Sequence, residues 1–218
     1  MPAGSQKLTA ARKEEIVDAC AQLYETMPFK KITLGVIGEK TSFTRTSIYN
    51  YFRTKEEIFL ALLEREYRAW NADLEKLAEK TLAETQFPRA FAALLEKRGS
   101  MLKLLSMNLY DMEAGSRLEN LVSFKRAYRD SLLAVAHCLK KHCPFINDEG
   151  AQQFIYAFFP FLFGVYPYAE ASEKQRRAMA VAGVPYRKFS VTDLTASVTE
   201  QLILSLKAGG VSGKNENA

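Results

Sequence analysis

Apolar positions recur every three to four residues along almost the whole chain, and no stretch sustains a period of two. That pattern predicts helices and no sheet. Ile16, Cys20, Leu23 and Tyr24 form one stripe within residues 9–27, which Met27-Pro28 closes because proline cannot donate the next helical hydrogen bond. Thr33 is a side-chain cap, with Leu34, Ile37 and Gly38 following at helical spacing. Lys40-Thr41-Ser42-Phe43 reads as a turn. Thr44 then caps a short helix, Arg45 to Asn50, whose one strongly apolar residue, Ile48, points inward. Thr54 caps a third helix, with Glu56 and Glu57 in the first turn, where negative charge suits the helix dipole. Its stripe of Ile58, Leu62, Leu63, Tyr67, Trp70, Leu74 and Leu77 predicts a helix from Lys55 to Ala83.

Further helices are predicted from Pro88 to Lys97, from Ser100 to Met112 and over residues 119–142. An aromatic helix starts near Ala151, carries Pro160 inside it and is expected to end at Pro167. A short helix over Ser172 to Val181 precedes the last one, which carries Leu194, Val198, Leu202 and Leu206. From Gly209 the Gly-, Ser- and Asn-rich composition predicts a disordered tail. The expected fold is all-α: an N-terminal three-helix domain (1–56), a larger C-terminal helical domain (57–208) and the tail (209–218).

A helix of a few residues is marginal alone, so the one at Arg45 must be held by its neighbours while its polar face stays outward. That is the arrangement of a helix-turn-helix, whose second helix lies in the major groove. Thr33, Ile37, Phe43, Thr44, Ser47, Ile48, Tyr49, Tyr51, Phe52, Lys55, Glu56 and Ile58 stand, without a gap, where the tetracycline-repressor (TetR/AcrR) family has its typical run. The chain resembles that family closely over residues 9–60 and in general terms beyond. It departs from the pattern at Gly38, Lys40, Thr41 and Ser42. Ser42 replaces the turn glycine, and a side chain in a left-handed turn conformation costs about 1 kcal/mol, so a strained turn is expected.

Arg45 and Thr46, early on the second helix, are placed to read base edges, where arginine can pair with guanine through two hydrogen bonds. Thr33, Ser47, Tyr49 and Lys55 suit phosphate contacts, which set register without reading sequence. Thr44 and Asn50 complete the candidate DNA-binding set. Residues 1–56 carry nine Lys/Arg against six Asp/Glu, a modest basic bias within a net charge of +5. The resemblance implies a transcriptional regulator, with repression as the expected sign, that binds double-stranded operator DNA as a homodimer paired through its last helices. Leu194, Val198, Leu202 and Leu206 are the expected interface. It also implies a small-molecule effector that releases the operator. Met101, Leu105, Asn108, Phe124, Tyr128, Phe158, Leu162 and Tyr166 are candidates to line its pocket, given the density of rings from Phe154 to Tyr168.

No phosphate-binding glycine loop, nucleophile elbow or paired carboxylates support catalysis, and no cofactor is expected. Three cysteines do not make a disulfide framework. Cys138 and His142, in the cluster His137-Cys138 and His142-Cys143, are one turn apart and could jointly bind a soft metal, but no acidic or third helix partner is visible, and no metal site is expected. No apolar stretch is long enough to span a membrane and the N-terminus lacks a signal-peptide core, so a cytoplasmic protein is expected. The competing readings are a helical adaptor and a DNA binder without small-molecule control.

Overall fold

The computed structural model describes the backbone of residues 3–42 and 45–212, and the side chains of 7–42 and 46–209. Among the described residues ten α-helices follow in order: α1 Ala3–Thr26, α2 Leu34–Gly38, α3 Arg45–Ile48, α4 Lys55–Ala78, α5 Phe87–Glu96, α6 Gly99–Ala114, α7 Leu118–His142, α8 Asp148–Ala169, α9 Glu173–Val181 and α10 Val191–Ser212. No strand occurs among the described residues, and the all-α expectation holds. None of the described helices is long and apolar enough to cross a membrane.

The helices gather into two compact units. The first runs to Tyr67 and takes in Met107–Tyr128; the second is Arg68–Ser106 with the chain from Arg129 onward. The chain therefore passes from one unit to the other within α4, α6 and α7, not in linkers. The sequence-based division at residue 56 follows the function expected of α1–α3. The compact unit is larger, because the end of α6 and the start of α7 join it.

Several boundaries differ from the sequence reading. α1 begins at Ala3, six residues early, because residues 3–13 are rich in good helix formers that carry no apolar stripe. α4 ends at Ala78, not Ala83. There the Leu77 carbonyl accepts from the Lys80 amide at 3.0 Å and from His142 Nε2 at 3.1 Å, which caps the helix end. α8 runs through Pro167 to Ala169. Pro160 and Pro167 lie seven residues apart on the exposed face, where water can satisfy the carbonyls they leave unpaired. α10 continues through Ser212, so the segment expected to be disordered from Gly209 is helical for its first four residues. The remainder of that tail, 213–218, lies outside the described residues.

The core of the first unit joins Tyr24, Phe29 and Phe59, with ring centroids 5.2 Å and 4.6 Å from Phe59, to fully buried Ile16, Ile37, Ile48 and Ile58. The second unit is built on rings. Trp70, Phe87, Phe91, Phe154 and Phe158 are all buried, and Phe91 lies 5.1 Å from Phe158 and 6.4 Å from Trp70. Buried Val191, Thr195, Thr199 and Ile203 form the face that α10 turns toward α5 and α8. α9 is fastened by its ends. Ser172 and Gln175 form a capping box, and Gly183, at φ +67°, closes a turn in which the Val184 amide donates to the Met179 carbonyl at 2.9 Å.

Candidate DNA-binding surface

α2 and α3 are short because each is held by few side chains. Thr33 accepts a hydrogen bond from the Val36 amide at 3.3 Å and so caps α2, as its sequence position predicts. Leu34 and Ile37 are buried beneath it. In α3, Ile48 is fully buried, Thr46 is exposed and Ser47 half-buried; in the turns that follow, Tyr49, Asn50 and Arg53 lie exposed. The helix is four residues long, not six. Beyond Ile48 the chain continues in tighter turns, with Asn50 donating to Ser47 and Tyr51 to Ile48. Thr44 lies outside the described residues, as does the side chain of Arg45.

The turn between α2 and α3 is not strained at Ser42. No described residue other than glycine has a positive φ. The Lys40 and Thr41 amides instead close tight turns onto the Ile37 and Gly38 carbonyls, and the Ser42 amide donates to Glu15 Oε1 at 2.5 Å. An extended or right-handed backbone tied down by a carboxylate replaces the glycine turn.

Lys55 has a different setting from that of a freely reaching phosphate ligand. Its Nζ donates to the Phe29 carbonyl at 2.9 Å and sits 4.2 Å from the centre of the Phe29 ring. One of its donors thus braces the start of α4 against the short 3-10 turn Phe29–Lys31. Tyr51 is half-buried, and its hydroxyl accepts from Arg12 at 3.1 Å.

A buried ion pair near this surface escaped the sequence reading. Glu57, 1% exposed, accepts from Arg117 Nε at 2.6 Å and Nη2 at 2.9 Å, and from the Arg53 amide at 2.7 Å. Burial by itself would raise the Glu57 carboxyl. Hydrogen bonds from Arg117 and from the Arg53 and Arg117 amides outweigh it and hold the carboxyl below its ordinary value. The folded chain therefore gives up this proton more readily than the unfolded chain. The stabilisation is complete above the unfolded value of about 4.3 and is lost as pH falls through the lowered folded value. Glu57→Gln is expected to flatten the acid limb of stability below about pH 4.3. Superimposable acid titrations of the two proteins, followed by circular dichroism, would remove Glu57 from that limb. Only its place in an acidic first turn was visible in sequence; its partner lies 60 residues on.

The expected effector-lining residues divide between the two units. In the first, Asn108 accepts from the Tyr24 hydroxyl at 3.1 Å, Phe124 is buried, and Tyr128 meets Tyr67 edge-on at 5.8 Å. In the second, Met101, Leu105, Phe158 and Leu162 are buried and Tyr166 is half-buried. An open groove of about 370 Å³ in the second unit lies elsewhere, between α4 and α7, with Leu74, Ala78, His137 and Lys141 among its walls.

The cysteine–histidine cluster has structural work. Cys138 Sγ donates to the Leu74 carbonyl at 3.0 Å, and His142 donates to the Leu77 carbonyl while stacking on Phe87 at 5.0 Å. Burial pushes the Cys138 thiol up to about 12 and the Cys143 thiol up to about 11, so both stay protonated near neutrality. Among the described residues no group of three potential metal ligands comes together.

Residues 16–62 match the family model for bacterial regulatory proteins of the tetR family, and residues 64–208 match the tetracyclin repressor-like C-terminal domain. The chain belongs to the TetR family. Its members are DNA-binding transcriptional regulators and not enzymes, as the sequence reading expected. Three solved structures have the same fold. One is described as a TetR-family transcriptional regulator from Mesorhizobium loti MAFF303099: TM-score 0.59, 14% identity, covering 90% of this chain and 97% of that one. The fatty acid degradation regulator FadR from Bacillus halodurans gives 0.57 at 14% identity, covering 88% and 94%. FadR from Bacillus subtilis, in complex with stearoyl-CoA, gives 0.52 at 16% identity, covering 87% and 97%. At such identities the likeness is one of fold. No curated protein matches the chain in sequence.

Proposed function

We propose that this TetR-family chain is a cytoplasmic repressor that binds operator DNA as a homodimer and is released by an apolar small molecule. One observation carries the DNA-binding part: α3 and the turn that follows it expose Thr46, Tyr49 and Asn50 while Ile48 is buried. The outward side carries polar and aromatic groups of the kind that meet bases and phosphates, and a short helix presented in this way fits a groove. Arg45 opens α3 and is assigned a base edge. Thr33, Ser47 and Tyr49 are assigned phosphates, and Lys55 contributes charge from its braced position.

Two half-sites are needed to supply enough contacts, so the functional unit is a dimer. α8 leaves Tyr156, Pro160, Gly164 and Tyr168 exposed at a spacing of four, and α10 leaves Leu204 exposed. Leu194, Val198, Leu202 and Leu206 are half-buried in the single chain. We assign these two faces to the partner subunit.

For the effector, the stearoyl-CoA complex of Bacillus subtilis FadR suggests an acyl chain as the first class to try. An effector acts by binding the DNA-incompetent state more tightly, with α4, which begins at the DNA-binding surface and ends in the second unit, as its mechanical link. A constitutive binder is the second reading. It is favoured by the burial of Met101, Leu105, Phe158 and Leu162, none more than 4% exposed.

The test begins with selection from a pool of random duplexes by the purified protein. Arg45→Ala is expected to weaken binding to the selected duplex by about 1–3 kcal/mol and to relax one position per half-site. Unchanged affinity and preference would remove α3 from the groove. Fatty acids and acyl-CoA thioesters of increasing length are then added. Release of the duplex together with a raised melting temperature supports the effector; neither effect across the series leaves the constitutive binder.

A further inference from the structure

The corner between α6 and α7 is tied at three points to the short stretch that joins α3 to α4, all within the first unit. Arg117 Nη2 donates to the Tyr51 carbonyl at 3.4 Å, directly after the turns that end α3. Arg117 also grips Glu57, whose other contact is the Arg53 amide, two residues further along the same stretch. The Thr54 hydroxyl donates to the Gly115 carbonyl at 2.9 Å. The corner is seated closely: a Cβ on Gly115 would lie 2.8 Å from Glu56 Cβ, a distance that real side chains do not tolerate. These bonds converge on the chain between α3 and α4 and on the first turn of α4, not on α3 itself. α3 has only four residues and buries one described side chain, so its attitude depends on how its ends are held.

We propose that Arg117 is a positioning residue for DNA recognition. Acting through Glu57 and the Tyr51 carbonyl, it fixes the stretch 51–54 and thereby the angle at which α3 and the turn after it present Arg45, Thr46 and Asn50 to base edges. It touches no DNA itself. Base readout needs side chains placed within hydrogen-bond geometry, whereas attraction to phosphates tolerates misplacement. Removing Arg117 should therefore lower sequence preference without lowering general affinity for duplex.

The proposal rests on the assignment of α3 as the reading helix, and the two fail differently. If the unaltered protein selects no duplex from a random pool, that assignment falls. If it selects one, the selected duplex and the unselected pool are the two probes for the variants, at one salt concentration. Glu57→Gln with Arg117→Ala is the main variant: it removes both charges, leaves no carboxylate buried without a partner, and keeps a side-chain oxygen for the Arg53 amide. It is expected to bind the unselected pool as the unaltered protein does, while its preference for the selected duplex falls at least about tenfold. Arg117→Lys, which keeps the charge and loses the forked geometry, should lie between the two. Preference retained in a folded double variant overturns the proposal. So does an equal fall on both probes, which marks a purely structural role. Should the double variant not fold, Gly115→Ala decides, since it shifts the same corner with no change of charge: loss of preference supports the proposal and unchanged preference overturns it.

Discussion

A chain carrying Tyr156→Glu and Leu204→Glu is expected to be a folded monomer that no longer holds a duplex with two half-sites. Tyr156 is 79% exposed and Leu204 is 56% exposed, so neither change disturbs the packing of the subunit itself. In a two-fold interface each position occurs twice, and four carboxylates would be drawn out of water without partners. The penalty is several kcal/mol per buried ion, enough to separate the subunits. Loss of the second recognition helix removes the intramolecular second binding event, worth about 10²-fold or more in affinity. Sedimentation velocity reads the mass and duplex titration the affinity, with circular dichroism confirming the helices. A double variant that sediments as a dimer would place the interface elsewhere than on α8 and α10.

Ile48→Ala is the second large effect, and its signature is local. Removing most of a buried isoleucine side chain costs about 2–5 kcal/mol. Ile48 is the side chain that seats α3, and a four-residue helix has no stability of its own to draw on. The loss should fall first on α3 and the adjoining turns. Duplex binding is expected to fail at temperatures where the overall helical signal is still near that of the unaltered protein. Hydrogen exchange should show faster amides from Ile48 to Phe52 and little change in α5 or α10. Ile48→Val, costing about 0.5–1.5 kcal/mol, should keep binding. Unchanged duplex affinity in the alanine variant would mean that α3 is held by something other than Ile48.

Residues 33–58 were legible because local rules agree there. Thr33 caps the next helix, Ile48 is the apolar residue of a short polar segment, and Thr54 precedes two glutamates; each works within about four residues of itself. The course of α8 beyond Pro167 was less legible. A proline is a stop signal in sequence, but in place it faces outward and costs one hydrogen bond that solvent can replace. Ser42 raised a similar false alarm: glycine is needed only at positive φ, and the Glu15 carboxylate holds a turn that does not use it.

By itself the sequence determined the helical class, the order of the helices, the short pair expected to carry the DNA contacts and the inward set of Ile48, Phe52 and Ile58, all through interactions between near neighbours in the chain. Only the tertiary structure decided which polar side chains serve the fold. Asn108 meets Tyr24 across 84 residues, His142 caps α4 from 65 residues away, and Arg117 reaches Glu57 across 60. In sequence Asn108 read as a candidate for the effector pocket and His142 as a possible metal ligand beside Cys138, while Arg117 carried no signal at all. A hydrogen bond depends on distance in space, and the folding that brings such partners together leaves no periodic trace in the residues between them.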